Sequence, residues 1–102
     1  MPDLQHLDLL KQGVFIWNQW RQEHPEVLPD LNGADLAWAH LSRIDQSGAN
    51  LYKANLQGAD LQDAQFYRAD LREAKLHGTN LRKANLDETA LTDGQEGRDG
   101  EG

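Results

Sequence analysis

The chain has 102 residues, a formal charge of −7 and no cysteine. That length supports one domain with a modest core, which leaves little room for a deep substrate cleft. Without cysteine there is no disulfide framework, thiolate metal site or cysteine nucleophile, and net acidity argues against direct nucleic-acid binding, which needs clustered Lys and Arg.

Three segments separate by composition. Residues 1–28 hold four acids against two bases, residues 29–93 ten against seven, and residues 94–102 three against one. The first thirty residues lack the basic start, the unbroken apolar run and the small-residue cleavage site of a secretion signal, and no apolar run approaches the roughly 20 residues that span a bilayer. A soluble cytoplasmic protein with no membrane association is expected.

The opening segment reads as a helical cap. Asp3 suits an N-cap, Leu4, Leu7, Leu9 and Leu10 follow at helical spacing, and Gly13 ends the helix. A second helix over about 14–23 carries Phe15, Ile16, Trp17 and Trp20, and Pro25 and Pro29 stop it. One helix kinked at Gly13 is the alternative. Leu7, Leu10, Val14, Trp17 and Trp20 are expected to cover the segment that follows, with Trp38 a further candidate.

From Leu31 a large apolar residue returns every five positions: Leu36, Leu41, Leu51, Leu56, Leu61, Phe66, Leu71, Leu76, Leu81, Leu86 and Leu91. Of thirteen such slots only Gln46 breaks the rule. Two residues earlier stands Ala or Thr, except at Pro29 and Ile44, and between the two lies Asp or Asn in nine of thirteen cases. On an α-helix five residues advance about 500°, so successive leucines step about 140° around and share no face. On a straight strand an odd period alternates faces. Every leucine points inward only if the backbone bends within each unit, and Gly33, Gly48, Gly58 and Gly78 sit where those corners fall. The result is a solenoid. Residues 94–102, Gly-rich and charged, read as a disordered tail.

The units ADLAW at 34–38, ANLQG at 54–58 and ADLRE at 69–73 resemble the A(D/N)LXX motif of the pentapeptide-repeat family. The stretch from Gly13-Val14 through Trp17-Asn18-Gln19-Trp20-Arg21, with Pro25 and Pro29-Asp30-Leu31, is similar to the leader before many bacterial, especially cyanobacterial, members. The resemblance implies an all-β solenoid with a helical cap: a right-handed quadrilateral β-helix of about three coils, four pentapeptides each, preceded by one or two short α-helices. Such a stack stands about 15 Å tall. Twenty residues per coil align Lys53, Glu73 and Asp93, then Arg43, Asp63 and Lys83, and set Arg68 over Glu88, so opposite charges meet. Gln46 and Ile44 mark an irregular place. Either Ile44 fills the core while Gln46 bonds backbone, or the chain shifts or bulges at 42–48. The structural core is Leu36, Leu41, Leu51, Leu56, Leu61, Phe66, Leu71, Leu76, Leu81 and Leu86.

No chemistry is visible. His6, His24, His40 and His77 lack metal-ligand spacing, the glycines match no phosphate-binding fingerprint, and no Ser/His/Asp set is supported. The row Asp35, Asn50, Asn55, Asp60, Asp70, Asn80 and Asn85 could suggest a carboxylate ladder, but Asn dilutes its charge and the repeat accounts for it. No catalytic residue, metal or cofactor is expected. Tyr52 and Tyr67 point outward with Arg72 and Arg68 nearby, residue types that partner surfaces favour. The expected function is a non-catalytic protein-interaction scaffold with an unknown partner. The resemblance offers an alternative, an acidic DNA mimic that inhibits or protects DNA gyrase or topoisomerase. The last coil lacks a covering helix, which leaves a monomer or an end-to-end homodimer open.

Overall fold

The computed structural model describes residues 1–93 and Gln95. Two helices lead: α1, Leu4–Lys11, and α2, Val14–Glu23. Asp3 caps α1, its carboxylate accepting from the Gln5 and His6 amides. Gly13 separates the helices at a φ of 105°, a value that suits glycine, so the cap is two helices rather than one kinked one. Pro25 follows the end of α2 at His24. Among the described residues no helix is long and apolar enough to cross a membrane.

Beyond the helices every fifth residue n, from Asp30 to Asp70, bridges in parallel to residue n + 20. Asp30 bridges Asn50, Asn50 bridges Asp70, and Asp70 bridges Ala90, so one column rises through three steps. Three further columns start at Asp35, His40 and Asp45. Four pentapeptides therefore close each coil. Among the described residues every β-contact is an isolated bridge, and no regular strand forms. This corrects the all-β expectation in its detail. Each side of the coil carries one bridging residue before the chain turns, which is too short for a strand ladder.

The five backbone donors of a unit have five fixed destinations. In 54–58, Ala54 N–H closes a turn on Leu51 O at 2.9 Å, and Asn55 N–H reaches back one coil to Ala34 O at 2.8 Å. Leu56 and Gly58 N–H reach forward to Lys75 O and His77 O, both at 2.9 Å. Gln57 N–H donates to the Asn55 side-chain oxygen at 3.1 Å. That last bond recurs at all nine Asp or Asn positions, Asp30, Asp35, Asp45, Asn50, Asn55, Asp60, Asp70, Asn80 and Asn85. It explains the residue type. Only a short side chain ending in an acceptor reaches an amide two residues on.

The corners are turns whose third residue has positive φ, as in type II turns. From residue 33 to 88 that position holds φ between 56° and 71°, and eight of its twelve occupants are not glycine. Glycine is thus favoured at the corners but not required. At Gly58 a second reason applies, since an added Cβ would lie 2.2 Å from the Trp38 ring. Trp38 itself is a corner residue, 68 % exposed, and does not cover the first coil. Its backbone place directs the indole outward over the next coil's glycine.

Inside, Leu31, Leu36, Leu41, Leu51, Leu56, Leu61, Phe66, Leu71 and Leu76 are buried, with the alanines beside them. Leu81 and Leu86, expected in the core, are only half-buried, because no further described coil packs beneath them. Thr79 and Thr89 take alanine's place by donating their hydroxyls to Leu56 O and Phe66 O, both at 2.6 Å. The backbone at 42–48 stays in register, with Asp45 bridging Gln65, so the shift or bulge is absent. Ile44 is fully buried and fills the space. Gln46 is buried too, but its Oε1 has no hydrogen-bond partner and does not bond backbone.

Side-chain bonds tie α2 to the 43–47 side of the first coil and to Val27 before it. Trp17 Nε1 donates to Asp45 O at 2.8 Å, Asn18 bonds Arg43 O and Asp45 N–H, and Arg21 donates to Val27 O and Ser47 O. Leu10 and Trp17 are buried against the coil, while Leu7, Val14 and Trp20 are partly buried on it. The expectation for residues 94–102 lies outside the described residues except at Gln95. There the amide group donates to Leu71 O at 2.8 Å and Ala74 O at 2.9 Å, and its oxygen accepts from Thr92 N–H.

Two stability changes are expected. His40→Asn supplies the missing side-chain acceptor for the Ser42 amide and raises the unfolding free energy by about 1 kcal/mol. Gln46→Leu removes the unpartnered buried oxygen and raises it by about 1–3 kcal/mol. Urea titration at neutral pH measures both, and a loss of stability in either variant contradicts the assigned role.

Candidate interaction surface

The Asp/Asn row is committed to the fold, since each side-chain oxygen holds an amide of its own turn. Among the described residues no group of three or more His, Cys, Asp or Glu could hold a metal ion. The arrangement left on the surface is aromatic and cationic.

Two tyrosine–arginine pairs flank one side of the solenoid. Tyr67 and Arg68 form the corner that leads into Ala69-Asp70-Leu71, and Tyr52 and Arg72 stand at its far end, one coil apart. The Arg68 guanidinium lies 5.2 Å from the Tyr67 ring centre. Arg72 lies 5.4 Å from the Tyr52 ring, and Lys53 Nζ approaches the same ring at 5.4 Å. The tyrosine hydroxyls reach the next coil, where Tyr52 donates to Glu73 at 3.3 Å and Tyr67 to Glu88 at 3.5 Å. Tyr67 is 38 % exposed and Tyr52 half-buried. Both rings are therefore fixed before any partner arrives, which lowers the ordering cost of binding.

Charge sets the arginines. Arg68 Nε donates to Glu88 at 2.8 Å, and this hydrogen bond, with the glutamate's charge, raises the arginine's pKa. Arg72 folds onto Asp70 through two bonds, at 3.0 and 2.9 Å. The hydrogen bond from Arg72 holds the Asp70 carboxyl below its usual value, against the opposing effect of partial burial. Both arginines are exposed, so these pairs position side chains more than they stabilise the fold. Of the aligned charge columns, only Arg68–Glu88 closes to an ion pair among the described residues. In the Lys53–Glu73 column both side chains turn to Tyr52 instead.

The structure brings Tyr52 together with Arg72, and Tyr67 with Arg68. Sequence reasoning set Glu88 beneath Arg68 but missed its contact with Tyr67, and missed Lys53 and Glu73 as neighbours of Tyr52. The signal was present, because a tyrosine at n reaches the residue at n + 21 once a coil is twenty residues long. A separate buried charge belongs to the cap. Burial pushes the Arg21 guanidinium below its usual value, and Asp45 at 4.0 Å partly offsets that.

With this geometry in place, comparison with known proteins is direct. The family profile described as pentapeptide repeats (8 copies) matches residues 30–66 and again 64–94. The chain belongs to the pentapeptide-repeat family. No match to a curated protein is found. Among solved structures, the pentapeptide repeat protein Rfr23 from the cyanobacterium Cyanothece 51142 is 37 % identical, covering 58 % of this chain and 40 % of its own, with a TM-score of 0.56. A pentapeptide repeat protein from the Arabidopsis thaliana thylakoid lumen is 38 % identical over 62 % of this chain and 47 % of its own, with a TM-score of 0.33. The chain spans less than half the length of either protein. Family membership and the Rfr23 likeness imply a right-handed β-helical solenoid.

A pH-dependent contribution from Asp70 follows. Its folded pKa is lowered, so its stabilisation is complete above the ordinary value of 3.8 and is lost as pH falls through the depressed value. Arg72→Gln is expected to unfold at lower urea than the parent at about pH 6, with the difference vanishing near pH 2. A difference that persists in acid contradicts the assignment.

Proposed function

We propose that this chain is a non-catalytic protein-binding module whose contact surface is the side bounded by the Tyr67–Arg68 and Tyr52–Arg72 pairs. One observation carries the reading: these are partly exposed aromatic rings already held in place by cations and by glutamates of the next coil. Tyrosine and arginine supply the anchoring contacts of many protein interfaces. The side chains that could have formed a carboxylate site are engaged in turns instead. A cytoplasmic setting is compatible with its cysteine-free composition, and a bacterial one with the likeness to the cyanobacterial Rfr23.

The DNA-mimic alternative fits less well. The longest extent, cap included, is 33 Å, about one turn of duplex, and the acidic groups of the repeat are interleaved with Arg68, Arg72, Arg82 and Lys83. A supercoiling assay is expected to show no inhibition of gyrase.

Affinity capture from the native host tests the main reading. A protein retained by the parent chain and lost with the Tyr67→Ala, Arg68→Ala double variant, at matched thermal stability, is the expected result. Retention of the same set of proteins by both chains rules out this surface.

A second copy of the chain, if one binds, is expected at the last described coil. Leu81, Leu86 and Leu91 are half-buried there, and the amides of Leu81, Lys83, Leu86 and Glu88 have no hydrogen-bond acceptor among the described residues. Any dimer that light scattering detects is expected to form through this end and to dissociate in Leu86→Asp. A dimer mass unchanged by that substitution rules out the last coil as its interface.

A further inference from the structure

The joint between α1 and the first coil contains a histidine. The Asp30 N–H donates to His6 Nδ1 at 2.9 Å. A ring nitrogen that accepts a hydrogen bond carries no proton, so this bond requires the neutral imidazole with its hydrogen on Nε2. The other strand of the joint is the Asp3 N–H, which donates to Asp30 O at 3.0 Å. Together the two bonds satisfy the residue that opens the first coil, where no preceding coil exists to do so.

The titratable and charged groups facing His6 come from three elements. At the start of α1, Asp3 Oδ2 lies 3.7 Å from Nε2, while the same carboxylate caps the Gln5 and His6 amides. From α2, the Trp20 ring packs 5.1 Å from the imidazole, and His24 stands beyond it at 6.0 Å from Trp20. From the coil, the Asp30 carboxylate is held by the Asn32 amide. Asp3 attracts a charged imidazole, but the nitrogen facing it already bears hydrogen in the neutral ring. An added proton must go to Nδ1, directly against the Asp30 N–H. The positive end of α1 opposes the same charge, and the His6 side chain is only 13 % exposed, so water is poorly placed to take over.

We propose that His6 makes the amino-terminal cap acid-sensitive, releasing α1 from the first coil and uncovering the backbone edge at Asp30 when its ring is protonated. The closed joint requires the neutral ring, because Nδ1 cannot both carry a proton and accept from the Asp30 N–H. The opening is local. α2 is attached through Trp17, Asn18 and Arg21, whose charges do not change in mild acid, so the second helix stays in place.

The test is nuclear magnetic resonance on the full ¹⁵N-labelled chain. At about pH 7.5 the imidazole nitrogens of His6 should report the Nε2–H tautomer. Between about pH 7.5 and 5.5 the protection factor of the Asp30 amide should fall about tenfold, the net worth of roughly one hydrogen bond, while those of Leu56 and Leu61 hold. His6→Gln should abolish this pH dependence, and His24→Gln should retain it. An Nδ1–H tautomer at high pH, unchanged Asp30 protection, or the same fall in His6→Gln overturns the proposal. The tautomer measurement stands on the parent chain alone, so a poorly folded variant cannot obscure the outcome.

Discussion

A buried backbone amide without an acceptor is costly, and a chain that turns a corner every five residues cannot hide its amides in a helix or a long strand. The pentapeptide meets this constraint by giving each of its five donors a different destination. One closes the turn, one reaches back a coil, two reach forward, and one is taken by the unit's own Asp or Asn side chain. The residue types follow. Alanine or threonine fits beside the leucine of the same unit, Asp or Asn supplies the turn's acceptor, and the corner accepts left-handed backbone.

Both ends of the solenoid meet the same constraint by other means. At the start, Trp17, Asn18, Arg21, His6 and the Asp3 amide stand in for a preceding coil. At the other end the Gln95 amide bonds Leu71 O and Ala74 O, and Ala74 O is the carbonyl that a further coil would engage. The half-burial of Leu81, Leu86 and Leu91 shows where packing thins out. A solenoid is therefore uniform along its length and particular only at its ends and corners.

The surface clusters arise from the same stacking. A twenty-residue coil places Glu88 beneath Arg68 and brings Glu73 within reach of Tyr52, so the tyrosine rings are held between levels. Short-range order in the repeat thus creates fixed outward groups without a pocket.

The sequence by itself determined the solenoid, because leucines five apart share an interior only if the chain bends between them. It also marked a helical leader through Asp3, Gly13 and Pro25, but one helix kinked at Gly13 and two separate helices both stayed open until the structure placed Gly13 at a φ of 105°. It did not determine the absence of regular strands, since the width of a side depends on how soon the backbone turns in space. Nor did it reveal that Ile44 would keep the coil in register beside Gln46, or that Trp38 would lie outside over Gly58. Those outcomes depend on contacts about twenty residues apart or between the helices and the coil. Only the tertiary structure decides which side chain meets which backbone group at that range, because the repeat fixes period and face while neighbouring coils and the cap fix partners.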